Sequence, residues 1–304
     1  MAALLLKTPQ TQKYVVQLAE FIKRAEGHLT VLTGAGISTD SGVPDYRGPR
    51  GIYVKNKDYR PIRFQEFISA HSIRQRYWSR SFLGFPRIMR ARPNRSHHAV
   101  HGLQEEEWIS GLITQNVDGL HRGEGIVEMH GTLHKVHCLS CKHTISRADW
   151  QQTIADLNPE LVDWVRRNPN AGEGDVASST AVRPDGDIET AWDYSRFEYP
   201  HCESCGTGMY KPSVIFFGEN IAPESRDQTF RFIDDSQALL CIGTSLQVYS
   251  AYRLALRAKA AGQPVAVLSL GETRADPLVD LKIMDGCSDV LEGVREQLCK
   301  HSSH

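Results

Sequence analysis

Apolar residues recur along this chain in two rhythms. Behind Thr8-Pro9, the stretch Gln10 to Glu26 carries Tyr14, Val15, Leu18, Phe21 and Ile22 at helical spacing, and Gly27 closes it; that pattern predicts an amphipathic helix. Elsewhere the apolar residues form short runs: HLTVLTGAGIS, GLITQN, GIVEMHG, PSVIFFGE, ALLCIGTSL and PVAVLSLGE. Several stop at Gly or a small polar residue. Helix-length segments such as Ser96 to Trp108 and Val248 to Ala261 lie between them. Strands alternating with helices predict an α/β fold, a Rossmann-like parallel sheet with helices on both faces. Ligands of such sheets bind beyond the carboxyl ends of the strands, so the punctuation after each strand is where chemistry is sought.

One region breaks the alternation. Residues 135–206 begin and end with a Cys-x-x-Cys pair and contain the polar stretch RRNPNAGEGDVASSTAVRPDGDIE. This predicts a small metal-binding module with a long inserted loop. The larger domain then comprises 1–134 and 207–304, with a helical insertion at about 50–92. No internal repeat is found.

Composition narrows the function classes. Over 304 residues, 35 Lys+Arg nearly cancel 36 Asp+Glu, so the overall basic footprint of a nucleic-acid binder is missing. No apolar run is long enough to span a membrane. The start, MAALLLKTPQ, has too short an apolar segment for a secretory signal and no arginine for a transit peptide. Four of the seven cysteines form the two pairs, Cys138/Cys141 and Cys202/Cys205. One tight turn can aim both sulfurs of such a pair at one ion, and two turns give a tetrahedral four-thiolate site suited to a structural zinc. Four free core cysteines are the alternative. His134, His137, His143 and His201 lie nearby and are read as ordinary histidines.

Gly34-Ala35-Gly36-Ile37-Ser38 follows a strand, where glycines let backbone N–H groups approach a pyrophosphate. Thr39 stands where a full G-x-G-x-x-G would have its third Gly or Ala, and a plain Gly-rich turn reads as well. A second small-residue turn, Gly243-Thr244-Ser245, adds weight, because two turns facing one crevice could hold the halves of a dinucleotide. After another strand comes Gln115-Asn116-Val117-Asp118, and His130 closes a further one. This amide, carboxylate and imidazole suit holding a ribose and moving a proton.

Together these strings resemble the sirtuins, NAD-dependent protein deacylases. GAGISTDSGVPDYRG, TQNVDGLH, EMHG, the two cysteine pairs, FFGE and GTSLQV occur in that family's order across roughly residues 29 to 290. RQRYWSR, LNP, RPDGDI and SLQVYS resemble its class II, mitochondrial fourth-sirtuin branch. The resemblance implies NAD as a consumed co-substrate, one structural zinc and acyl-lysine proteins as substrates; a monomer is expected. It also implies a mitochondrial matrix location, with cytoplasm and nucleus as alternatives. Gly34, Ala35, Gly36 and Ile37 would line the NAD site, with Asp45, Tyr46 and Arg47 on the loop closing over it. Gln115, Asn116 and Asp118 would hold the nicotinamide ribose, a water and the carboxamide. Gly243, Thr244 and Ser245 would take phosphate and ribose oxygens, with Ser269, Gly271 and Cys287 at the adenosine end. Ser269 departs from the family's usual Asn and lacks its amide. His130 would be the general base, acting with Asn116. Gly218, Glu219 and the GTSLQV segment through Val248 would clamp the substrate backbone as an added strand. Val214 and Phe216 would flank the lysine channel.

In the implied reaction the acyl oxygen of a modified lysine displaces nicotinamide from the ribose. His130 then deprotonates a ribose hydroxyl, and water completes transfer to give free lysine and O-acyl-ADP-ribose. Rival readings are a mono-ADP-ribosyltransferase using the same site, a non-catalytic NAD-sensing zinc protein and a dehydrogenase. Tyr77 and Arg80 sit three apart on one predicted helix face, and the resemblance implies that this face is the floor of the acyl pocket, because sirtuins that remove acidic acyl groups carry a similar Tyr-x-x-Arg. Arg80 could bind an acyl carboxylate bidentately, favouring acidic or longer acyl groups over acetyl. Alternatively, an internal acid occupies Arg80 and the pocket takes neutral long chains. Likewise, Arg183-Pro184-Asp185 of the insertion either lines the acyl channel or decorates the zinc module.

Overall fold

The computed structural model describes residues 8–49, 51–169, 183–188, 190 and 192–299. The start of the chain read for targeting, and the middle of the long insertion, lie outside the described residues. Along the chain the strands are β1 (Leu29–Thr33), β2 (Ile109–Thr114), β3 (Ile126–Glu128), β4 (Gly131–Cys138), β5 (Thr144–Ser146), β6 (Tyr210–Val214), β7 (Ala238–Ile242), β8 (Val265–Leu268) and β9 (Leu281–Ile283). The helices are α1 (Pro9–Lys23), α2 (Ile52–Lys55), α3 (Phe64–Ser69), α4 (His71–Arg90), α5 (Arg95–Glu105), α6 (Arg147–Leu157), α7 (Pro159–Arg167), α8 (Pro223–Asp234), α9 (Tyr249–Ala260) and α10 (Cys287–Cys299).

Six strands form one parallel sheet in the order β3-β2-β1-β7-β8-β9. Side chains alternate between its faces, as the strand period requires. Leu29, Val31, Leu112, Leu240 and Ile242 join Leu18, Ile22, Val100, Leu103 and Val290 in one core. Leu32, Ile113, Leu239 and Cys241 join Ile233, Leu254 and Ala255 in the other. α1, α5 and α10 therefore cover one face, and α8 and α9 the other. All five residues of β1 are buried, because the strand is central and both its faces are covered. α1 starts as its sequence predicts: Thr8 accepts from the Thr11 amide, and Pro9 occupies the first turn.

The second sheet, β5-β4-β6, is antiparallel. It begins at Gly131 and ends at Val214, wider on both sides than the cysteine-bounded segment 135–206. It also corrects the reading of PSVIFFGE as one of the parallel strands. Tyr210–Val214 pairs with β4, Cys138 opposite Tyr210. Pro212 has no N–H to give a ladder, which suits an edge strand such as β6 and not a central one. After the first cysteine pair the stretch WQQTIADLNPELVDWVRRN (150–168) lies in two helices, α6 and α7. The chain breaks at Asn158-Pro159, since proline removes a helical N–H and restricts the residue before it. A third core fastens the small module to the helical insertion. The Trp78 and Trp150 rings lie 4.8 Å apart, and Phe67, Tyr77, Leu161, Ile188 and Tyr210 complete it. No described helix is long and apolar enough to cross a membrane.

Candidate active site at the switch point of the parallel sheet

Strand order reverses between β1 and β7, where a parallel sheet opens a crevice at its carboxyl edge. The two small-residue turns meet there, backbone against backbone. The Gly34 amide donates to the Ile242 carbonyl (2.9 Å) and the Gly36 amide to the Gly243 carbonyl (2.8 Å). A Cβ on Gly36 would sit 2.8 Å from the Gly243 oxygen, and one on Gly243, whose φ is +59°, 2.4 Å from the Ile37 nitrogen. Side chains are excluded by this contact. After Gly34 the chain enters a 3₁₀ turn, Ala35–Ser41, and not the α-helix of a full dinucleotide fingerprint. Thr39, in place of the third Gly, donates its hydroxyl to the Gly36 carbonyl (3.0 Å) and closes that turn.

The polar cluster after β2 faces these glycines. Gln115 Nε2 donates to Thr244 Oγ1 (2.9 Å) and to the Thr33 carbonyl (3.1 Å). Asn116 Nδ2 donates to the Gly34 carbonyl (3.2 Å) and Ser38 Oγ (3.1 Å). Ser38 in turn donates to Asp118 Oδ2 (2.7 Å). Asn116 and Asp118 are buried. Burial raises the Asp118 carboxyl, against the Ser38 hydroxyl and Leu120 amide that favour its charged form. The nearby His97 and His121 rings are 4.9 Å apart, and burial lowers them to about 3 and about 4, so both are neutral.

His130 lies just past β3. Its Nδ1 is 3.1 Å from the Gln115 carbonyl oxygen, and its Nε2 2.9 Å from Ser250 Oγ. Burial lowers its pKa to about 4, against the pull of that carbonyl. The ring is a neutral imidazole near pH 7, as a general base must be. At the other end of the crevice Cys287 lies within hydrogen-bonding reach of the Gly243 backbone, and burial pushes its thiol up to about 12. The Ser269 amide donates to the Ile283 carbonyl (3.0 Å), and Gly271 is exposed on the same turn. Asp45 Oδ1 accepts from the Gly48 amide (2.9 Å), shaping the loop that carries Tyr46 and Arg47. The Arg47 guanidinium lies 4.4 Å over the Tyr53 ring.

The expected substrate side is aromatic. The Phe216 ring is 5.3 Å from both Phe67 and Tyr77, and Val214 is buried. Glu219 Oε2 accepts from the Phe216 amide (2.9 Å) and from Lys211 Nζ (3.1 Å). Its carboxylate therefore braces the turn that presents Gly218. Phe217, Val248 and Tyr249 are exposed apolar residues beside that turn and at the head of α9. Arg80 differs from the anion-reading expectation. Its guanidinium is held by Asp187, Nε to Oδ1 at 2.7 Å and Nη2 to Oδ2 at 3.0 Å, which is the internal-acid alternative. Arg183 bonds the same carboxylate. The described tip of the insertion, 183–188, thus folds back onto α4: Arg183 and Ile188 are buried, and the Gly186 carbonyl lies where a Cβ on Gly84 would be.

The four cysteines converge. Cys138 and Cys205 sulfurs are 3.8 Å apart, Cys141 and Cys202 3.6 Å, and all four lie within 4.8 Å of one another. Four thiols at this spacing are positioned to bind one structural zinc with no open coordination position. Three of the four neighbouring histidines are engaged elsewhere: His134 Nε2 donates to the Asp118 carbonyl (2.8 Å), and His137 and His143 bond Ser213 and Tyr210.

A Sir2 family model matches residues 34–250, most of the chain, from the first glycine of the crevice to Ser250. The chain belongs to the Sir2 family. The NAD-dependent protein deacylase SIR4 of Batrachochytrium dendrobatidis is 51% identical over 282 residues, covering 91% of this chain and 92% of that one. The NAD-dependent protein deacylase Sirt4 of Drosophila melanogaster is 38% identical over 288 residues, 93% and 87% of the two chains. Among solved structures, one described as "Structural Basis for the Mechanism and Regulation of Sir2 Enzymes" is 26% identical with a TM-score of 0.67, covering 95% of this chain and 99% of that one. Another, "Sir2-p53 peptide-NAD+", shares the fold at 23% identity and a TM-score of 0.70, covering 93% and 98%. The residues of this Sir2-family protein fit a dinucleotide: three glycines without room for a Cβ form its floor, and amide, carboxylate and hydroxyl groups edge it. Motif reading missed Ser38, Ser250, Lys211 and Asp187 as members of this site. Ser38, Ser250 and Asp187 sat inside the quoted strings GAGIS, SLQVYS and RPDGDI, so proximity to a motif was the available signal.

Proposed function

We propose that this protein is an NAD-dependent protein-lysine deacylase that yields nicotinamide, free lysine and O-acyl-ADP-ribose. The observation that carries this is His130: a neutral imidazole whose Nδ1 is committed to the Gln115 carbonyl, set among ribose-binding groups at the switch point. A sensor needs no such base. When bound, NAD supplies a glycosidic carbon at which the acyl oxygen replaces nicotinamide. The chain's own part is positional. Gln115, Thr244 and Ser245 hold ribose and phosphate oxygens, Asn116 and Asp118 with Ser38 hold the carboxamide and a water, and His130 Nε2 takes the ribose hydroxyl proton. Gly218 and the head of α9 receive the substrate backbone, and Phe216 flanks the lysine. The likeness to deacylases of two organisms supports the reading.

The aromatic floor at Tyr77 and Phe67 supports a preference for longer acyl groups over acetyl. Selection of acidic ones requires the acyl carboxylate to take the place of Asp187 on Arg80. The class II resemblance supports a mitochondrial matrix location, which fractionation of cells tests. Mass spectrometry of an acyl-peptide panel incubated with NAD tests the reaction: O-acyl-ADP-ribose is the expected product, and ADP-ribose retained on protein would mark transfer instead. His130→Ala should cut turnover by about a hundred- to ten-thousandfold with the fold kept.

A further inference from the structure

Ser250 has no part in the reading above, yet its Oγ is 2.9 Å from Nε2 of His130. A carbonyl oxygen can only accept, so the contact between Nδ1 and the Gln115 carbonyl puts the ring proton on Nδ1 and the lone pair on Nε2. The Ser250 hydroxyl therefore donates to Nε2, the atom that must receive the ribose proton. It comes from far along the chain. Leu246, buried and at φ +53°, turns the backbone sharply after β7, and Ser250 stands in the first turn of α9. There its hydroxyl is spent on the imidazole and not on capping the helix.

We propose that Ser250 is the positioning residue of the general base: in the NAD-free protein its hydroxyl occupies the single Nε2 lone pair and so holds His130 in the Nδ1–H tautomer, and it gives that lone pair up to the ribose hydroxyl when NAD binds. A hydroxyl suits both protonation states. It donates to Nε2 while the site is free of NAD, and turns away as the ribose hydroxyl takes its place on that lone pair. Once Nε2 has taken the ribose proton and the ring is an imidazolium, the hydroxyl rotates and accepts from Nε2–H. The proton count balances: the ribose oxygen loses one proton, the imidazole gains it, and Ser250 keeps its own. Burial and the Gln115 carbonyl, and no charged side chain, are the other influences on the ring's titration. The inference rests on the deacylase reading for the step it serves.

The test uses the full-length, zinc-loaded chain without NAD. Histidine side-chain ¹⁵N–¹H spectra of wild type, Ser250→Ala and Ser250→Thr are titrated, with His130→Ala identifying the signal. Removing a donor to the neutral ring should raise the His130 pKa by about half to one unit and admit the Nε2–H tautomer. Ser250→Thr, which keeps the hydroxyl, should restore both. In turnover, Ser250→Ala should lower deacylation kcat by roughly tenfold, with KM for NAD and peptide unchanged. Nicotinamide exchange, which precedes the base step, should be kept. An unmoved pKa and tautomer in Ser250→Ala would overturn the proposal, and so would exchange and deacylation falling together or a threonine that fails to rescue. If wild type forms no O-acyl-ADP-ribose, the deacylase reading falls while the NMR arm still decides the role of Ser250.

Discussion

Asp187 is the hinge of the pocket's charge balance. Its carboxylate takes Arg80 on both oxygens and Arg183 on one, and the side chains of Arg80, Asp187 and Arg183 are 12%, 15% and 3% exposed. The two ends of this cluster should respond unequally to mutation. Arg80→Met removes one cation but leaves Asp187 with Arg183, and the methionine keeps the apolar stem, so the loss should be about 1 kcal/mol. Asp187→Asn leaves Arg80 without a carboxylate in a site largely shielded from water. Breaking a buried pair in this way costs about 3–5 kcal/mol, and the partial exposure places the expectation near the lower figure. Urea melts of the zinc-loaded protein measure both. The functional consequence runs the other way. With Asp187 neutral, Arg80 is available to an acyl carboxylate, and the glutaryl-to-acetyl ratio of kcat/KM should rise by roughly tenfold, the equivalent of one charge-assisted hydrogen bond of about 1.4 kcal/mol. Equal destabilisation by the two substitutions, or an unchanged ratio in Asp187→Asn, would refute the reasoning.

Purified protein should contain about one zinc per chain, and Cys138→Ser should lower both zinc content and melting temperature, because structural zinc binding is folding free energy; elemental analysis and calorimetry check this. Gly36→Ala must push the Gly243 backbone aside, a strain of about 1–3 kcal/mol that should appear as roughly ten- to hundredfold weaker NAD binding by calorimetric titration. Stability should fall as pH drops from about 6.5 toward about 4. In that window the buried His97, His121 and His130, lowered to about 3, 4 and 4, stay neutral in the fold while the unfolded chain binds protons. Asp185, raised to about 6 mainly by burial, acts in the opposite direction, so Asp185→Asn should steepen the loss in urea melts across that range.

Much of this protein was legible in its sequence because the signals are local. Five apolar strand runs and the glycines after β1 and β7 mark a parallel sheet and its switch point. A Cys-x-x-Cys turn aims two sulfurs from four consecutive residues. His130 ends its strand whatever the rest of the chain does. The sixth run failed as a parallel strand because pairing is a property of two segments: only the fold shows that Tyr210–Val214 lies against β4 and carries Pro212 on an outer edge. The same reason hid the partners that set the chemistry. Ser250 reaches His130 across 120 positions and Asp187 reaches Arg80 across 107. Neither distance leaves a periodicity or a spacing to read. The residue types of the site were thus written in the strings that end each strand. Which nitrogen of His130 holds the lone pair, and which acid holds Arg80, were decided by tertiary packing, which desolvates these groups and brings the Gln115 carbonyl and Ser250 to the one and Asp187 to the other.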